Sequence, residues 1–234
     1  MMTERFFVSP DFLAEKNQAF TIPAGPLYRQ IVAVLRMKAG DLLGLLPNDG
    51  RELVCKITEI NRSGIIGDII ETVAKPVITP NVIVCAALLK RENFELILQK
   101  CTELGATSFL PLATERTIKK LSEVPERWLA IVREASEQSG RGVIPIIHEP
   151  LSFEKALAKT DGLRRVVLHE GHGGKLPAKK KDEAIALFIG PEGGFTEREI
   201  TLAKDAGSLV THLGDELVMR AETAAIAGLT LLRL

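Results

Sequence analysis

The sequence predicts an α/β protein in two parts, a small N-terminal β-barrel followed by a mainly parallel sheet with helices on both faces. Three observations lead there. Up to about residue 74 the chain reads as short, β-branched strands divided by turn chemistry. From residue 82 strands alternate with helical patterns, and three of the later apolar strands end in glycine loops.

In the first part the strand candidates are "FFV", "QIVAVLRM", "RELVCKITEI" and "IIGDIIETV", with "PNDG" and "NRSG" as turns. The stretch "AKPVITPN" holds two prolines and reads as a linker. The domains are therefore expected at 1–74 and 82–234, joined by 75–81. In the second part "VIVCAALL" is a buried strand, and "ENFELILQKCTELG" is a helix ending at Gly105. "ATSFLPLAT" follows as a strand and "VPERWLAIVREASEQSG" as a helix stopping at Gly140. Then come "VIPII", a helix near "SFEKALAKT", and the strands "RRVVLH" and "IALFIG". "TEREITLAKDAG" carries a capping box, with Thr196 as N-cap and Glu199 three residues on. "SLVTHLG" is the last strand and "ETAAIAGLTLLRL" the last helix.

Composition excludes several classes. Apolar residues are 46% and charged residues 26% of the 234, an ordinary globular balance. No apolar run reaches the roughly 18 residues of a membrane span. The start "MMTERFFVSPDF" lacks the features of an export signal, so a cytoplasmic protein is expected. Cys55, Cys85 and Cys101 form no CxxC and read as buried thiols; Cys101 reads as core filler ahead of a nucleophile. Thirty basic and thirty acidic residues cancel, and residues 1–80 hold nine of each, so nucleic acid would be bound only through a local patch. The clearest is "ERTIKK", with Arg116, Lys119 and Lys120 against one acid.

The three glycine-ended strands are "VVLHEGHGG", "LFIGPEGG" and "VTHLGDELVMR". Ligands of parallel α/β sheets bind beyond the carboxyl ends of strands. If the three are neighbours, Gly171, Gly173, Gly174, Gly190, Gly193, Gly194 and Gly214 line one crevice where backbone approaches a ligand closely. Neither GxGxxG nor GxxxxGK[ST] is present. In "GPEGG" Pro191 removes an amide donor, Glu192 repels polyphosphate, and no lysine follows Gly193 and Gly194. A ligand with a positive centre, a sulfonium or an amine, fits better. Glu192 has two open readings, ligand contact or loop brace. His169 and His172 sit three apart among glycines rather than four apart on a helix, so no metal is expected. Ser136, Ser139 and His148 make no nucleophile elbow.

"IGPEGGFTEREI" followed by "LGDELVMRAETAAIAGL" resembles the RsmE family of 16S ribosomal RNA uridine N3-methyltransferases, within the SPOUT superfamily. "QKCTELGATSFLPLATERT" and "EASEQSGRGVIP" match two further blocks of that family in order and spacing, so the resemblance runs across most of residues 90–229. It implies a SPOUT-type parallel sheet with a C-terminal trefoil knot, a PUA-like RNA-binding barrel, and a homodimer. It also implies S-adenosylmethionine as cofactor and N3 of uridine 1498 in 16S ribosomal RNA as target, within an assembled small subunit. Carried over by position, the cofactor contacts are Leu168, His169, Ile189, Gly190, Gly193, Leu213, Gly214, Val218 and Met219, mostly through backbone and apolar atoms. Glu192 joins them on the charge argument.

The chain departs from the family in places. It has "VMR" where Ile-Leu-Arg is usual, Asp215-Glu216 where basic residues are common, and Gln30 in place of an N-terminal histidine. Arg36, in "VLRMKAGD", either faces RNA or neutralises Asp41.

Uridine N3–H is a weak acid, so its methylation needs that proton removed or the developing charge stabilised. Arg220 is assigned to that charge. Glu222 and Thr223 open the last helix beside it; each is a candidate for proton handling, or for dipole complement and capping alone. Arg116 and Arg141 suit phosphates, or salt bridges with Glu115 and Glu137. Because N3 is paired in duplexes, the target must be unpaired or extruded. The rival readings are a SPOUT enzyme acting on another base or a ribose, and a non-catalytic dimeric RNA-binding protein.

Overall fold

A computed structural model describes residues 4–117, 121–170, 183–213 and 217–233. The chain divides into two compact units, Met1–Val77 with Ser136–Ile144, and Ile78–Ala135 with Pro145–Leu234.

The first unit holds strands β1 (Arg5–Phe7), β2 (Leu13–Ala14) and β3 (Ala19–Pro23), helix α1 (Pro26–Arg29), and strands β4 (Leu42–Leu46), β5 (Arg51–Asn61) and β6 (Gly64–Ala74). They form one sheet in the order β1-β4-β5-β6-β3-β2. β1 and β4 run parallel and the other pairs antiparallel. β5 carries two register shifts, between Val54 and Cys55 and between Ile57 and Glu59, which bend the long β5–β6 hairpin. Its turn is tied by Asn61, whose Oδ1 accepts from the N–H groups of Ser63 (2.9 Å) and Gly64 (3.2 Å). Phe6 of β1 and Phe20 and Ile22 of β3 enter the same core as Leu43, Leu53, Ile57 and Ile65, so the sheet curls around one apolar centre. Buried Glu52 lies between Arg5 (2.9 Å) and Lys75. Burial alone would push its carboxyl up, and the two cations hold it below the usual range.

The expected strand "QIVAVLRM" is helical instead: α1 runs into a π turn over Gln30–Val34. Its β-branched residues suggested a strand, but Leu27, Tyr28, Ile31 and Val32 lie one turn apart on a face that packs on the core, and Pro26 sits at the first turn. Tertiary packing on that face outweighs strand propensity. Segment 136–144, which sequence places in the second part, groups with this unit. It is stitched there by backbone: Phe7 N–H donates to Glu137 Oε1 (2.8 Å), Gly50 N–H to the Gly142 carbonyl (3.1 Å), and Ile144 N–H to Asn48 Oδ1 (2.8 Å). A Cβ at Gly142 would stand 2.8 Å from the Gly50 carbonyl carbon, so only glycine allows this approach.

The second unit begins with β7 (Val82–Ala87), α2 (Arg91–Glu103) and β8 (Ser108–Ala113). Helix α3 (Glu126–Ser139) begins in this unit and ends in the first. Next come β9 (Ile146–Ile147), β10 (Leu151–Ser152), α4 (Phe153–Lys159) and β11 (Arg164–Leu168). The last elements are β12 (Ile185–Ile189), α5 (Glu197–Asp205), β13 (Leu209–Thr211) and α6 (Ala221–Arg233). The strands form a sheet in the order β10-β8-β7-β12-β11-β13, with β9 also on β8. Every pairing in it is parallel. Central β12 is buried along its whole length, as a strand covered on both faces must be. Successive residues show the two faces: Leu187 lies under Gly228 of α6, while Phe188 packs with Phe153 and Ala156 of α4 and Ile200 of α5. Helices α2 and α6 lie side by side.

Candidate functional site

The strand order sets β11 between β12 and β13, so the three glycine-ended strands are neighbours and their carboxyl ends share one crevice. There a cavity of about 490 Å³ opens between Leu168, His169 and Glu170 after β11, Ile189, Gly190, Pro191 and Gly194 after β12, and His212 and Leu213 after β13. Leu217, Val218, Met219 and Ala224 complete it. Its size is that of an ordinary cofactor site, about 300–1,000 Å³.

The loop after β12 is held from several sides. Gly194 N–H donates to the Pro191 carbonyl at 2.8 Å, closing a turn in which Gly194 takes φ +68°. Phe195 then dives into the core, 2% exposed, its ring 5.0 Å from that of Phe153. Thr196 caps α5 in the expected capping box. Glu199, 1% exposed, uses both oxygens: Oε2 accepts from Thr196 N–H (2.9 Å) and Oε1 from Glu115 N–H (3.0 Å). Thus one carboxylate ties the loop after β8 to the loop after β12. Arg116 adds a second tie by donating to the Gly193 carbonyl, and Arg198 pairs with Glu115 at 2.5 Å. Replacing Glu199 with Ala strands two backbone donors, each at about 1–3 kcal/mol. The expected result is a lower urea midpoint at unchanged m-value, with Glu199→Gln losing less.

A second cavity of about 400 Å³ adjoins the first and shares Glu170, Pro191, Val218 and Met219 with it. Its other walls are polar: Lys90, Asn93, Glu192, Arg220 and Glu222, with Ala221. Arg220 precedes α6, and its carbonyl accepts from Ala224 N–H at 2.8 Å. Glu222 is 8% exposed, and its Oε2 is buried without a hydrogen-bond partner.

A family model described as an RNA methyltransferase domain matches residues 77–233, and one described as an RNA methyltransferase PUA domain matches residues 28–70. A Synechocystis protein named ribosomal RNA small subunit methyltransferase E is 34% identical over 98% of this chain and 77% of its own length. The chain belongs to the ribosomal RNA small subunit methyltransferase E family. A member of this methyltransferase E family from Bacillus subtilis is 29% identical over 92% of this chain and 90% of its own. The Neisseria gonorrhoeae enzyme of the same name, in a crystal structure bound to S-adenosyl methionine, superposes with a TM-score of 0.85 at 25% identity, covering 97% of this chain and 95% of its own. A Legionella pneumophila methyltransferase solved with bound S-adenosylmethionine gives 0.84 at 28% identity, covering 99% and 97%. As in the family's name, this chain is a ribosomal RNA methyltransferase with an N-terminal PUA-like domain.

Against this methyltransferase E frame the site residues sort clearly. Leu168, His169, Ile189, Gly190, Leu213, Val218 and Met219 all line the first cavity. Gly193 holds Arg116 rather than lining it. The turn from Pro191 carries Glu192 into the wall of the second cavity, and among the described residues the carboxylate on the first is Glu170, which sequence reasoning missed because nothing local marked it. Arg220 and Glu222 share the second cavity; Thr223 is exposed and lines neither. Arg116 contacts Gly193, and its alternative partner Glu115 is taken by Arg198. Arg141 is 8% exposed, with Nε donating to the Val143 carbonyl at 3.3 Å, an arrangement that suits a structural role. Arg36 is exposed at φ +56°, and the carboxylate of Asp41 accepts from Lys38 N–H at 2.7 Å. Gly214, Lys119, Lys120 and His172, with Gly171, Gly173 and Gly174, lie outside the described residues. Cys55, Cys85 and Cys101 are buried free thiols, and burial pushes Cys101 up to about 12, far from a reactive thiolate. Among the described residues no three His, Cys, Asp or Glu side chains gather as a metal site, and no helix is long and apolar enough to cross a membrane.

Proposed function

We propose that this protein transfers a methyl group from S-adenosylmethionine to N3 of a uridine in 16S ribosomal RNA, the family position 1498. The observation that carries the reading is the pair of adjoining cavities with four residues in common, the first walled by aliphatic and Met side chains and loop backbone, the second by Lys90, Asn93, Arg220 and Glu222. The first suits the cofactor. Leu168, Ile189, Leu213, Val218 and Met219 offer apolar walls to an adenine, among the described residues no lysine or arginine lines it for phosphate, and Glu170 sets a carboxylate where a cation is welcome.

Bound there, the cofactor supplies an electrophilic methyl group on a sulfonium. The chain's part is to hold the base in line and manage its charge, and alignment of held reactants supplies roughly 7–11 kcal/mol. Arg220 stabilises the negative charge that spreads onto the uracil oxygens as N3 loses its proton. Glu222, buried with an unpartnered oxygen, is placed to take that proton. Exposed Arg36 and Arg116, with Lys119 and Lys120, are the candidate phosphate contacts, and the PUA-like unit the RNA-binding module.

The same reading includes the trefoil knot of the SPOUT folds, supported by the insertion of β12 between the earlier strands β7 and β11. It includes a homodimer, supported by Leu217 and Val218, which are 80% and 74% exposed on the cavity rim. A cytoplasmic location follows from the substrate.

Calorimetric titration of dimeric protein with S-adenosylmethionine is expected to show one site per subunit. No binding would favour the non-catalytic RNA-binding alternative. Mass mapping of small-subunit RNA from a strain lacking the gene is expected to show one methyl lost from a uridine; loss from another base or a ribose would overturn the assigned specificity.

A further inference from the structure

We infer that the second cavity receives the extruded target base and that Lys90 and Asn93 make it selective for uracil. This rests on the reading above and extends it to two residues that no sequence motif brought forward. Lys90 precedes α2 and is exposed; its carbonyl accepts from the N–H groups of Asn93 and Phe94, each at 3.1 Å. Its side chain caps nothing, and within the described residues its ammonium has no ion-pair partner. Arg220 stands in the same place before α6. Both thirteen-residue helices, packed side by side, therefore begin with a cation where the helix dipole favours an acid. Local stability gives no reason for this arrangement, and both cations face one cavity.

Glu222 lines the same cavity, nine-tenths buried, with an oxygen that has no donor among the described residues. Asn93, half-buried, contributes an amide to the same wall. The cavity lining thus combines the donors of Lys90, Asn93 and Arg220 with carboxylate acceptors, of which Glu222 is the buried one. The edge of uracil is the complement: two ring carbonyl oxygens flank the N3–H donor. Lysine has donors only, so it rejects the exocyclic amine that cytosine presents in place of one oxygen. Cytosine N3, an acceptor, would also face the Glu222 carboxylate. A site built to hydrogen-bond one edge discriminates strongly, because the wrong edge leaves buried groups unpaired.

The test uses the full-length protein and small-subunit particles from a strain lacking the gene. Lys90→Ala and Asn93→Ala are each expected to lower kcat/KM by about 10- to 100-fold, the loss of one hydrogen bond involving a charged or buried partner. S-adenosylmethionine affinity and the unfolding midpoint should stay at wild-type values, and Lys90→Arg should recover part of the loss. Binding to particles reconstituted with uridine or cytidine at the target should show a narrower preference in Lys90→Ala. Wild-type kcat/KM in both variants overturns the assignment and leaves the methyltransferase reading standing. Loss of cofactor affinity in either variant also overturns it, by moving that residue to the first cavity. Failure of the unmodified protein to bind cofactor or transfer methyl sinks the proposed function itself, and this assignment with it.

Discussion

Arg220→Ala is expected to lower turnover by about 10²- to 10³-fold, the usual cost of removing one donor aimed at developing charge. The dissociation constant for S-adenosylmethionine should not move, because Arg220 lines the second cavity and not the first. Folding should survive as well. The side chain is exposed, and a guanidinium before α6 opposes the helix dipole, so its removal leaves the helix as stable or slightly more so. This combination separates a catalytic role from a structural one. Arg220→Lys keeps the charge but not the planar fork, so it should recover only part of the rate. Single-turnover measurements at saturating cofactor, beside a calorimetric titration, decide the matter; unchanged turnover removes Arg220 from the chemistry.

Phe195→Ala should produce the largest loss of stability among the residues around the site, about 3–5 kcal/mol. Phe195 is 2% exposed and belongs to a cluster with Phe153, Phe188 and Ile200, so truncation opens a hole in the core of the second unit. Its second effect falls on the cofactor loop. The ring closes the far end of residues 190–195, and a Cβ on Gly190 would lie only 3.2 Å from it, so loop and ring are fitted together. Cofactor affinity should therefore fall along with the urea midpoint. Phe195→Leu, which fills more of the hole, gives a folded protein in which the affinity change can be measured alone. Full affinity in Phe195→Leu, despite lost stability, would show that the loop holds its shape without this anchor.

Much of the fold could be read from local chemistry. The shift from β-branched strands to alternating strands and helices near residue 82, the capping box at Thr196 and Glu199, and the helix ends at Gly105 and Gly140 all appear in the structure. Each depends on residues within a few positions of one another. The helical turn at Gln30–Val34 did not yield to the same treatment, because its β-branched residues are placed by the core they pack on. Strand β4, "LLGLL", was missed too: its last four residues are buried, so it shows no alternation of faces.

At the site the division is similar. The "GPEGG" loop, with Pro191 and Glu192 and without a lysine, argues against phosphate from the sequence alone, and the family blocks point to Arg220. What sequence by itself determined was the order of elements, the character of the ligand loops and the family, since these depend on neighbouring residues and on motif spacing. Only tertiary structure decided that Glu170, not Glu192, lines the first cavity, that Glu199 binds two loops at once, and that Lys90 and Asn93 share a cavity with Arg220 and Glu222. Those meetings follow from β12 entering the sheet beside β7 and from α2 packing against α6. Such long-range pairings are set by burial of the whole core, and no local pattern in the chain encodes them.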